Sequence, residues 1–220
     1  MYEKVLIIAN GDISNFKYIG KFIAGLGEKL YIICCDGGVR HAFNLGVVPN
    51  VIIGDMDSAK DYIVNHFKGH EVPFVKYPRE KDYTDLELSI DHAMSLEFPI
   101  SEIKIIGATG GRLDHALANI HSIIRPVAAG IDTFIEDEIG AVTVINSENK
   151  LKFPSESVVS LIPLTTKVTG VTTFDFKYPL KGETLEVGSS RGVSNYSLGN
   201  NARVELESGL LAVFINKTKR

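Results

Sequence analysis

The stretch "VIIGDMDS" (Val51–Ser58) runs three β-branched apolar residues into a glycine and two aspartates. A short apolar run that stops at turn residues is typical of a buried strand in a parallel sheet. Because side chains alternate faces along an extended chain, Asp55 and Asp57 are expected to point the same way. Two like charges held together are unfavourable unless a cation or a proton neutralises them. Two interpretations follow: a solvated surface turn, or a site for a divalent cation such as Mg²⁺.

The same pattern of short apolar runs separated by helical periodicity extends through the first 140 residues. Strands are predicted at 5–9, 30–35, 51–53, 72–75, 103–106 and 133–135. Helices are predicted at 16–26, 39–45 and 84–96, and an apolar stripe formed by Leu113, Leu117, Ile120 and Ile124 predicts another. This alternation implies a mainly parallel sheet covered on both faces.

From residue 141 onward the helical periodicity gives way to short β-rich runs separated by turn signals. Such runs are typical of an antiparallel sandwich or small barrel. The sequence therefore predicts an α/β N-terminal domain with a mainly parallel sheet, residues 1–140, followed by an all-β antiparallel sandwich domain, residues 141–220.

Composition excludes several classes of protein. The net charge of −4 argues against a nucleic-acid binder, which needs a basic surface, and no apolar stretch approaches the ~20 residues that span a bilayer. The N-terminal apolar run is too short for a signal peptide. The two cysteines, Cys34 and Cys35, are adjacent, and neighbouring strand residues face opposite ways, so we expect free thiols in the reducing cytoplasm.

Polar residues and glycines follow four of the predicted strands. They are "NGD" (10–12), "DGG" (36–38), "GDMDS" (54–58) and "GATGGRLDH" (107–115). Each alone is typical of an ordinary turn. In a parallel sheet, however, ligands bind beyond the carboxyl ends of the strands, and four such clusters at one edge predict a binding site.

The segment "GATGGRLDH" is the most informative of the four. A glycine-rich turn that enters a helix exposes backbone N–H groups to phosphate oxygens, and Arg112 can add a bidentate contact. Asp114 lies in the first helical turn, available to a metal or a ribose hydroxyl, and His115 is either a ligand contact or a packing residue. The segment has neither the Lys-Ser/Thr ending of a Walker A loop nor a full G-x-G-x-x-G.

The segment "KDYTDLE" (Lys81–Glu87) also has two interpretations. Thr84 and Glu87 have the spacing of a capping box, and Asp85 at the helix entrance suits the helix dipole. Asp82 has no such structural explanation, so a second carboxylate pair near the first remains an alternative. Ser58, in the acidic turn, is a candidate cap for the following helix or a ligand contact.

These motifs, in this order and spacing, resemble those of the thiamine pyrophosphokinases, and "VSLIPLT", "VTGVTT", "FKYPL" and "RGVSNY" continue the resemblance through the second half. The resemblance implies an α/β nucleotide-binding domain, a β-sandwich for thiamine binding and dimerisation, and a homodimer with thiamine at the subunit interface. It also implies Mg²⁺-dependent transfer of pyrophosphate from ATP to thiamine, giving thiamine diphosphate and AMP.

The resemblance also implies roles for individual residues. Catalysis and Mg²⁺ binding fall to four carboxylates: Asp55, Asp57, Asp82 and Asp85. Nucleotide binding falls to Asp36, Lys81, Gly107, Thr109, Gly111, Arg112, Asp114 and His115. Thiamine binding falls to Ser194 and Asn195. Some members stack the substrate on a tryptophan, which this chain lacks, so Tyr196 or a phenylalanine is the alternative.

Two other functions fit parts of the pattern. The nucleotide half does not specify the acceptor, so pyrophosphoryl transfer to another hydroxymethyl heterocycle such as a pterin is one alternative. A sensor that binds thiamine or nucleotide without turnover is the other, although a complete acidic set argues for catalysis. A metal-dependent phosphatase is disfavoured, because no nucleophilic aspartate motif is evident.

Overall fold

The computed structural model describes residues 2–57, 59–78, 80–147, 151–199 and 201–217, so Ser58 lies outside the described residues. The chain divides into two compact units, Met1–Glu138 and Ile139–Arg220. The first contains the parallel sheet and all of the helices described below, and the second is built from antiparallel strands. An α/β domain followed by an antiparallel β domain was predicted, and both are confirmed.

The sheet of the first unit has six parallel strands in the order β6-β5-β1-β2-β3-β4. Their bounds are β1 Lys4–Ile8, β2 Leu30–Cys35, β3 Val51–Ile53, β4 Phe74–Val75, β5 Glu102–Ile106 and β6 Asp132–Glu136. The central strands are almost wholly buried, which explains their continuous apolar sequences. The parallel register brings their carboxyl ends to one edge.

Six helices accompany this sheet: α1 Phe16–Gly25, α2 Val39–Leu45, α3 Asp61–Gly69, α4 Asp85–Met94, α5 Leu113–Ser122 and α6 Ile124–Ala128. Their ends follow ordinary capping chemistry. Asn15 accepts a hydrogen bond from Tyr18 at the start of α1, and Thr84 accepts one from Glu87 at the start of α4. Helix α2 ends at Gly46, whose φ of 66° suits glycine.

The core of the first unit lies on both faces of its sheet. On one face, Leu6 and Ile8 of β1 pack with Ile19, Phe67 and other side chains of α1, α2 and α3. Helix α4 packs against β1, β2 and β3 as well, burying Leu86 and Ile90. Both surfaces of the central strands are therefore sealed from water, as the alternation of strands and helices predicts.

Helix α5 was predicted from its apolar stripe, but the stripe does not continue through Ile124 in one helix. Helix α5 ends at Ser122, has no buried residue, and leaves Leu113 and Leu117 87% and 55% exposed. Ile124 begins the separate helix α6. Apolar periodicity identifies a helix face that avoids water, but it does not say whether the chain's own residues cover that face.

The second unit contains two antiparallel sheets. One has the strand order β12-β9-β14-β7 and the other β11-β10-β13-β8. The bounds are β7 Gly140–Ile145, β8 Leu151–Lys152, β9 Val158–Pro163, β10 Lys167–Phe174, β11 Glu183–Glu186, β12 Asn195–Tyr196, β13 Arg203–Glu205 and β14 Leu211–Asn216. Buried side chains from both sheets form one core that includes Val159, Val171 and Val213, as in a sandwich.

Cys34 and Cys35 are free and buried in β2, as predicted. Burial raises the pKa of both thiols far above its ordinary value. Within the described part of the chain, no helix is both long and apolar enough to cross a membrane.

Candidate active site

An open pocket of about 520 Å³ lies at the carboxyl edge of the parallel sheet. Four of its walls are the turns that follow β1, β2, β3 and β5, and a fifth is the entrance to α4. Carboxylates and turn glycines predominate among the lining residues, which include Gly11, Asp12, Asp36, Asp55, Lys81, Asp85, Gly107, Thr109, Gly111, Arg112 and His115. The structure thus brings together in one pocket most of the residues predicted to bind nucleotide.

The turn between β5 and α5 forms one wall through its backbone. Gly107, Gly110 and Gly111 all have positive φ, at 66°, 85° and 67°, a conformation that side chains with a Cβ rarely adopt. Gly11 packs against this turn so closely that a Cβ there would overlap the carbonyl oxygens of Gly107 and Thr109. The Gly11 N–H donates to Gly107 O at 2.6 Å, so the two turns hold each other. Such a glycine-rich wall can bring N–H groups close to phosphate oxygens.

The acidic turn after β3 is not extended as predicted. The strand ends at Ile53, Gly54 has φ 142° and Met56 has φ 65°, so strand alternation does not carry over to the two aspartates. The Asp57 N–H instead donates to Asp55 Oδ1 at 3.0 Å. Asp55 is half-buried in the pocket wall, whereas Asp57 is exposed and is not part of the pocket lining.

Gly54 allows the turns after β2 and β3 to meet. A Cβ on Gly54 would lie 3.0 Å from both Cα and Cβ of Asp36, so any side chain there would push the two turns apart. Asp36 itself has φ 46° and begins a short 3₁₀ turn through Gly38. The close approach therefore places Asp36 beside the turn that carries Asp55.

At the entrance to α4, Lys81 Nζ lies 2.7 Å from Asp85 Oδ1, and both side chains are largely shielded from water. Thr84 caps the helix, as the capping-box spacing predicted. Asp82 is exposed and does not line the pocket, but Tyr83 does, with 54% of its surface exposed. The pocket thus contains one shielded ammonium paired with one of its carboxylates.

At the start of α5, the guanidinium of Arg112 forms a two-point ion pair with Asp114, with Nε 3.1 Å from Oδ1. This contact lowers the pKa of Asp114 to about 2 and raises that of Arg112. Both side chains are about two-thirds exposed, so the pair is screened by water and is easily rearranged. Asp114 is here the ion-pair partner of Arg112 and is not part of the pocket lining.

Asn10 and Asp12 also line the pocket, although no individual role was predicted for either residue. Asp12 faces the glycine-rich turn: a Cβ on Gly110 would lie 3.3 Å from Asp12 Cβ, and one on Gly111 would lie 3.6 Å from its Oδ2. The signal was present, because "NGD" follows β1 at the same sheet edge as the other clusters.

The donor set of the pocket fits Mg²⁺ in its chemistry. Its carboxylates outnumber its cations, and hard oxygen ligands are those that Mg²⁺ prefers. Across the residues that the structure describes, however, no three His, Cys, Asp or Glu side chains converge as a ready-made metal site. This matches the usual mode of Mg²⁺ in nucleotide enzymes, where one or two carboxylates share the ion with substrate phosphates.

The two residues predicted to bind thiamine lie in the second unit, beside a separate open pocket of about 500 Å³. Ser194 has φ 58°, and its N–H donates to Ser160 Oγ at 3.0 Å. The buried Asn195 amide accepts from the Tyr178 N–H at 3.0 Å and donates to Tyr178 O at 2.7 Å. Asn195 therefore shapes the pocket wall by holding residue 178.

Two family models match the chain. "Thiamin pyrophosphokinase, catalytic domain" matches residues 25–135, and "Thiamin pyrophosphokinase, vitamin B1 binding domain" matches residues 143–211. Among curated proteins, the chain is 28% identical to a thiamine pyrophosphokinase of Bacillus subtilis over 186 residues, 84% of this chain and 86% of that one. It is 25% identical over 178 residues to thiamin pyrophosphokinase 1 of Caenorhabditis elegans, 75% of this chain and 70% of that one.

Solved structures share the fold at lower identity. The crystal structure of the Bacillus subtilis thiamine pyrophosphokinase superposes with a TM-score of 0.86 at 24% identity, covering 99% of this chain and 100% of that one. Yeast thiamin pyrophosphokinase superposes with a TM-score of 0.78 at 19% identity, covering 97% and 86%. The catalytic-domain model alone spans half of the sequence, and the chain therefore belongs to the thiamin pyrophosphokinase family.

Proposed function

We propose that this protein transfers the pyrophosphoryl group of ATP to the hydroxyl group of thiamine, producing thiamine diphosphate and AMP. The observation that carries the proposal is the single pocket in which a glycine-rich turn and several carboxylates meet at the carboxyl edge of the sheet. This pairing suits a polyphosphate that is bound through backbone N–H groups and a divalent cation. Membership of the thiamin pyrophosphokinase family indicates that thiamine is the acceptor.

In the proposed reaction the thiamine hydroxyl oxygen attacks the β-phosphorus of ATP. The bond between the β-phosphorus and the bridging oxygen to the α-phosphorus breaks, and AMP leaves with the electron pair. The hydroxyl proton goes to an oxygen of one of the pocket carboxylates. Such transfers depend mainly on alignment and charge neutralisation, and covalent participation by the protein is not needed.

The phosphate chain would be held by the turn from Gly107 to Gly111. Its backbone can direct N–H groups at phosphate oxygens, while Arg112, two-thirds exposed at the rim, is free to turn from Asp114 toward a stronger anion. Lys81 is the second cation among the residues that line the pocket. These groups would stabilise the negative charge that the leaving AMP acquires.

We infer that Mg²⁺ is bound by Asp55 and Asp85 together with the phosphates of ATP. Asp57 and Asp82, which stand outside the pocket lining, would act through bound waters. When bound, the ion polarises the phosphoryl oxygens and neutralises charge on the leaving group. Asp36, beside Asp55 through the contact with Gly54, would complete the acidic wall that holds the nucleotide.

Steady-state assays of AMP release test this function. With purified protein, ATP and Mg²⁺, we expect AMP to appear only when thiamine is present, and a chelator in excess of Mg²⁺ is expected to abolish it. A hydroxymethylpterin serves as the competing acceptor. AMP release with the pterin alone would contradict the proposed substrate, and tight binding of thiamine and ATP without AMP would indicate a sensor.

We further propose that the protein acts as a cytoplasmic homodimer with the thiamine site at the subunit interface. Support comes from helix α5, which starts at the nucleotide pocket and leaves Leu113 and Leu117 exposed to solvent. Exposed apolar side chains on one helix mark a surface suited to a partner. Ser194 and Asn195, which line the pocket of the second unit, would contact the thiamine, and Tyr196 or a phenylalanine would offer an aromatic face for stacking. The two free cysteines are consistent with a reducing compartment.

Sedimentation equilibrium at micromolar concentration tests the assembly. The wild type is expected at twice the chain mass, and Leu117→Lys is expected to shift it toward the 24.1 kDa monomer, because burying an unpaired ammonium at an interface is costly. Val48→Lys is the matched control, since Val48 is also an exposed apolar residue but precedes β3 at the opposite edge of the sheet. A monomeric wild type would contradict the proposal.

A further inference from the structure

Helix α2 lies behind the nucleotide pocket and holds one of its walls through two side chains. Arg40 Nη2 donates to Asn10 O at 2.9 Å, and the His41 ring lies with Nε2 2.7 Å from Gly11 O. Both acceptors belong to the turn after β1 that lines the pocket. Arg40 is exposed, whereas His41 is only 4% exposed, so the histidine contact is the one protected from competing water.

The contact at Gly11 continues into the glycine-rich turn. The Gly11 N–H donates to Gly107 O, and Gly11 packs directly on the carbonyl oxygens of Gly107 and Thr109. His41 therefore contacts a residue that itself packs against the predicted phosphate-binding turn. A shift of His41 would be transmitted through a single glycine, which has no side chain to absorb the movement.

The chemistry of the contact fixes the protonation of the ring. A carbonyl oxygen only accepts hydrogen bonds, so His41 Nε2 must carry the proton that it donates to Gly11. Nδ1 is buried and has no hydrogen-bond partner among the described residues. A second proton on Nδ1 would place a charged N–H where neither an acceptor nor water is available.

We propose that His41 is a positioning residue of the nucleotide site, which in its neutral form holds the turn after β1, and through it the Gly107–Gly111 turn, in the conformation that binds polyphosphate. The proposal rests on the proposed function for its substrate, but the contact itself does not depend on it. His41 does not line the pocket and acts only through Gly11.

Burial has the largest effect on the protonation of His41, and the polar and charged groups around it act in opposite directions. Burial lowers the pKa of His41, and Arg40 on the same helix lowers it further, while the Gly11 hydrogen bond and Asp12 oppose the shift; Phe16 of α1 adds an uncharged ring at 5.7 Å. The His41 ring is therefore harder to protonate in the folded state than in the unfolded state, where histidine becomes protonated below about pH 6.5. The contact is therefore intact above that pH, and it weakens as the pH falls toward the folded-state pKa.

Two substitutions separate the hydrogen bond from the bulk of the ring. His41→Leu fills a similar volume without a donor, and His41→Gln keeps a donor near the Nε2 position without titrating. We expect His41→Leu to raise the KM for ATP about tenfold with a much smaller change in kcat, and His41→Gln to stay within about twofold of wild type. His70→Gln, at an exposed histidine, is the control.

Hydrogen exchange of residues 9–13 provides a readout that needs no catalysis. At pH 7.5 we expect these residues to exchange faster in His41→Leu than in the wild type. At pH 5.5, after correction for the intrinsic pH dependence of exchange, we expect the wild type to exchange faster than it does at pH 7.5, whereas His41→Gln is expected to show no such increase. Binding of AMP, measured by calorimetry, is expected to weaken in parallel. If the Leu variant does not fold, the Gln variant and the two pH values still decide the question.

Three results would overturn the proposal. The first is a His41→Leu variant whose hydrogen exchange and KM for ATP equal those of the wild type, and the second is a rise in KM in His41→Gln as large as that in His41→Leu. The third is an increase in exchange at pH 5.5 that is equal in His41→Gln and in the wild type. Failure of the proposed function is distinguishable from these. In that case the wild type would release no AMP with thiamine, while the exchange pattern of residues 9–13 would still follow the protonation of His41.

Discussion

Asp55→Asn is expected to reduce kcat by about a hundredfold or more while leaving the protein folded. The amide oxygen can still accept the Asp57 N–H that Asp55 Oδ1 now accepts, so the turn after β3 keeps its hydrogen bond. What is lost is a negative oxygen at the pocket wall that would help bind Mg²⁺ and align the phosphates. Electrostatic stabilisation of a transferring phosphoryl group is worth several kcal/mol, and each ~1.4 kcal/mol is a factor of ten.

The measurement is kcat for AMP release at saturating ATP and thiamine, titrated with Mg²⁺ to above 10 mM or so. Asp132→Asn is the matched control, because Asp132 is an exposed aspartate at the start of β6, the opposite edge of the same sheet. We expect the control to match wild type. Near-normal turnover of Asp55→Asn at saturating Mg²⁺ would show that Asp55 does not act in the metal centre.

Gly38→Ala is expected to destabilise the first unit severely. Gly38 has an ordinary helical conformation, with φ −56°, so the cost does not come from the backbone angle. A Cβ there would overlap Ile8 O and come within 2.8 Å of Ile8 C and 3.2 Å of Ala9 C, all in the rigid backbone around the end of β1. Overpacking against a buried strand typically costs about 1–3 kcal/mol and sometimes more.

Urea unfolding followed by circular dichroism measures this effect as a lower midpoint. Gly25→Ala is the matched control, because Gly25 is the last residue of α1 and an added Cβ meets nothing within 4 Å. Alanine at that helical position is expected to be neutral or slightly stabilising. Equal midpoints for Gly38→Ala and wild type would mean that β1 and α2 can move apart at no cost, contrary to the packing described above.

Much of the fold could be predicted from the sequence because its local signals agree with one another. Helix α2 runs from Val39 to Leu45 as its periodicity predicts, and Thr84 caps α4. The strands of the first unit are continuous apolar runs bounded by turn residues, so their positions needed no tertiary information. The exposure of helix α5 could not be predicted, because periodicity does not indicate whether another part of the chain covers an apolar face.

The site was less accessible to sequence reasoning than the fold. Its location followed from topology, since polar turns after parallel strands must share one edge. The directions of individual side chains did not, because they depend on backbone angles such as φ 65° at Met56, a residue type that seldom adopts positive values. The pairing of Lys81 with Asp85 could not be predicted from helical i, i+4 spacing, because Lys81 precedes the Thr84 cap and lies outside α4.

The ion pair between Lys81 and Asp85 is also present before any ligand binds. Asp85 already has a counter-ion in Lys81 before any metal ion is bound. In the proposed function, loading the site would be an exchange of partners: Asp85 would bind the divalent ion, and the released Lys81 ammonium would face the incoming phosphates. We therefore expect Asp85 to keep its position in the pocket wall of the ligand-free protein. The Lys81 ammonium, which would later contact the substrate phosphates, pairs with Asp85 until then.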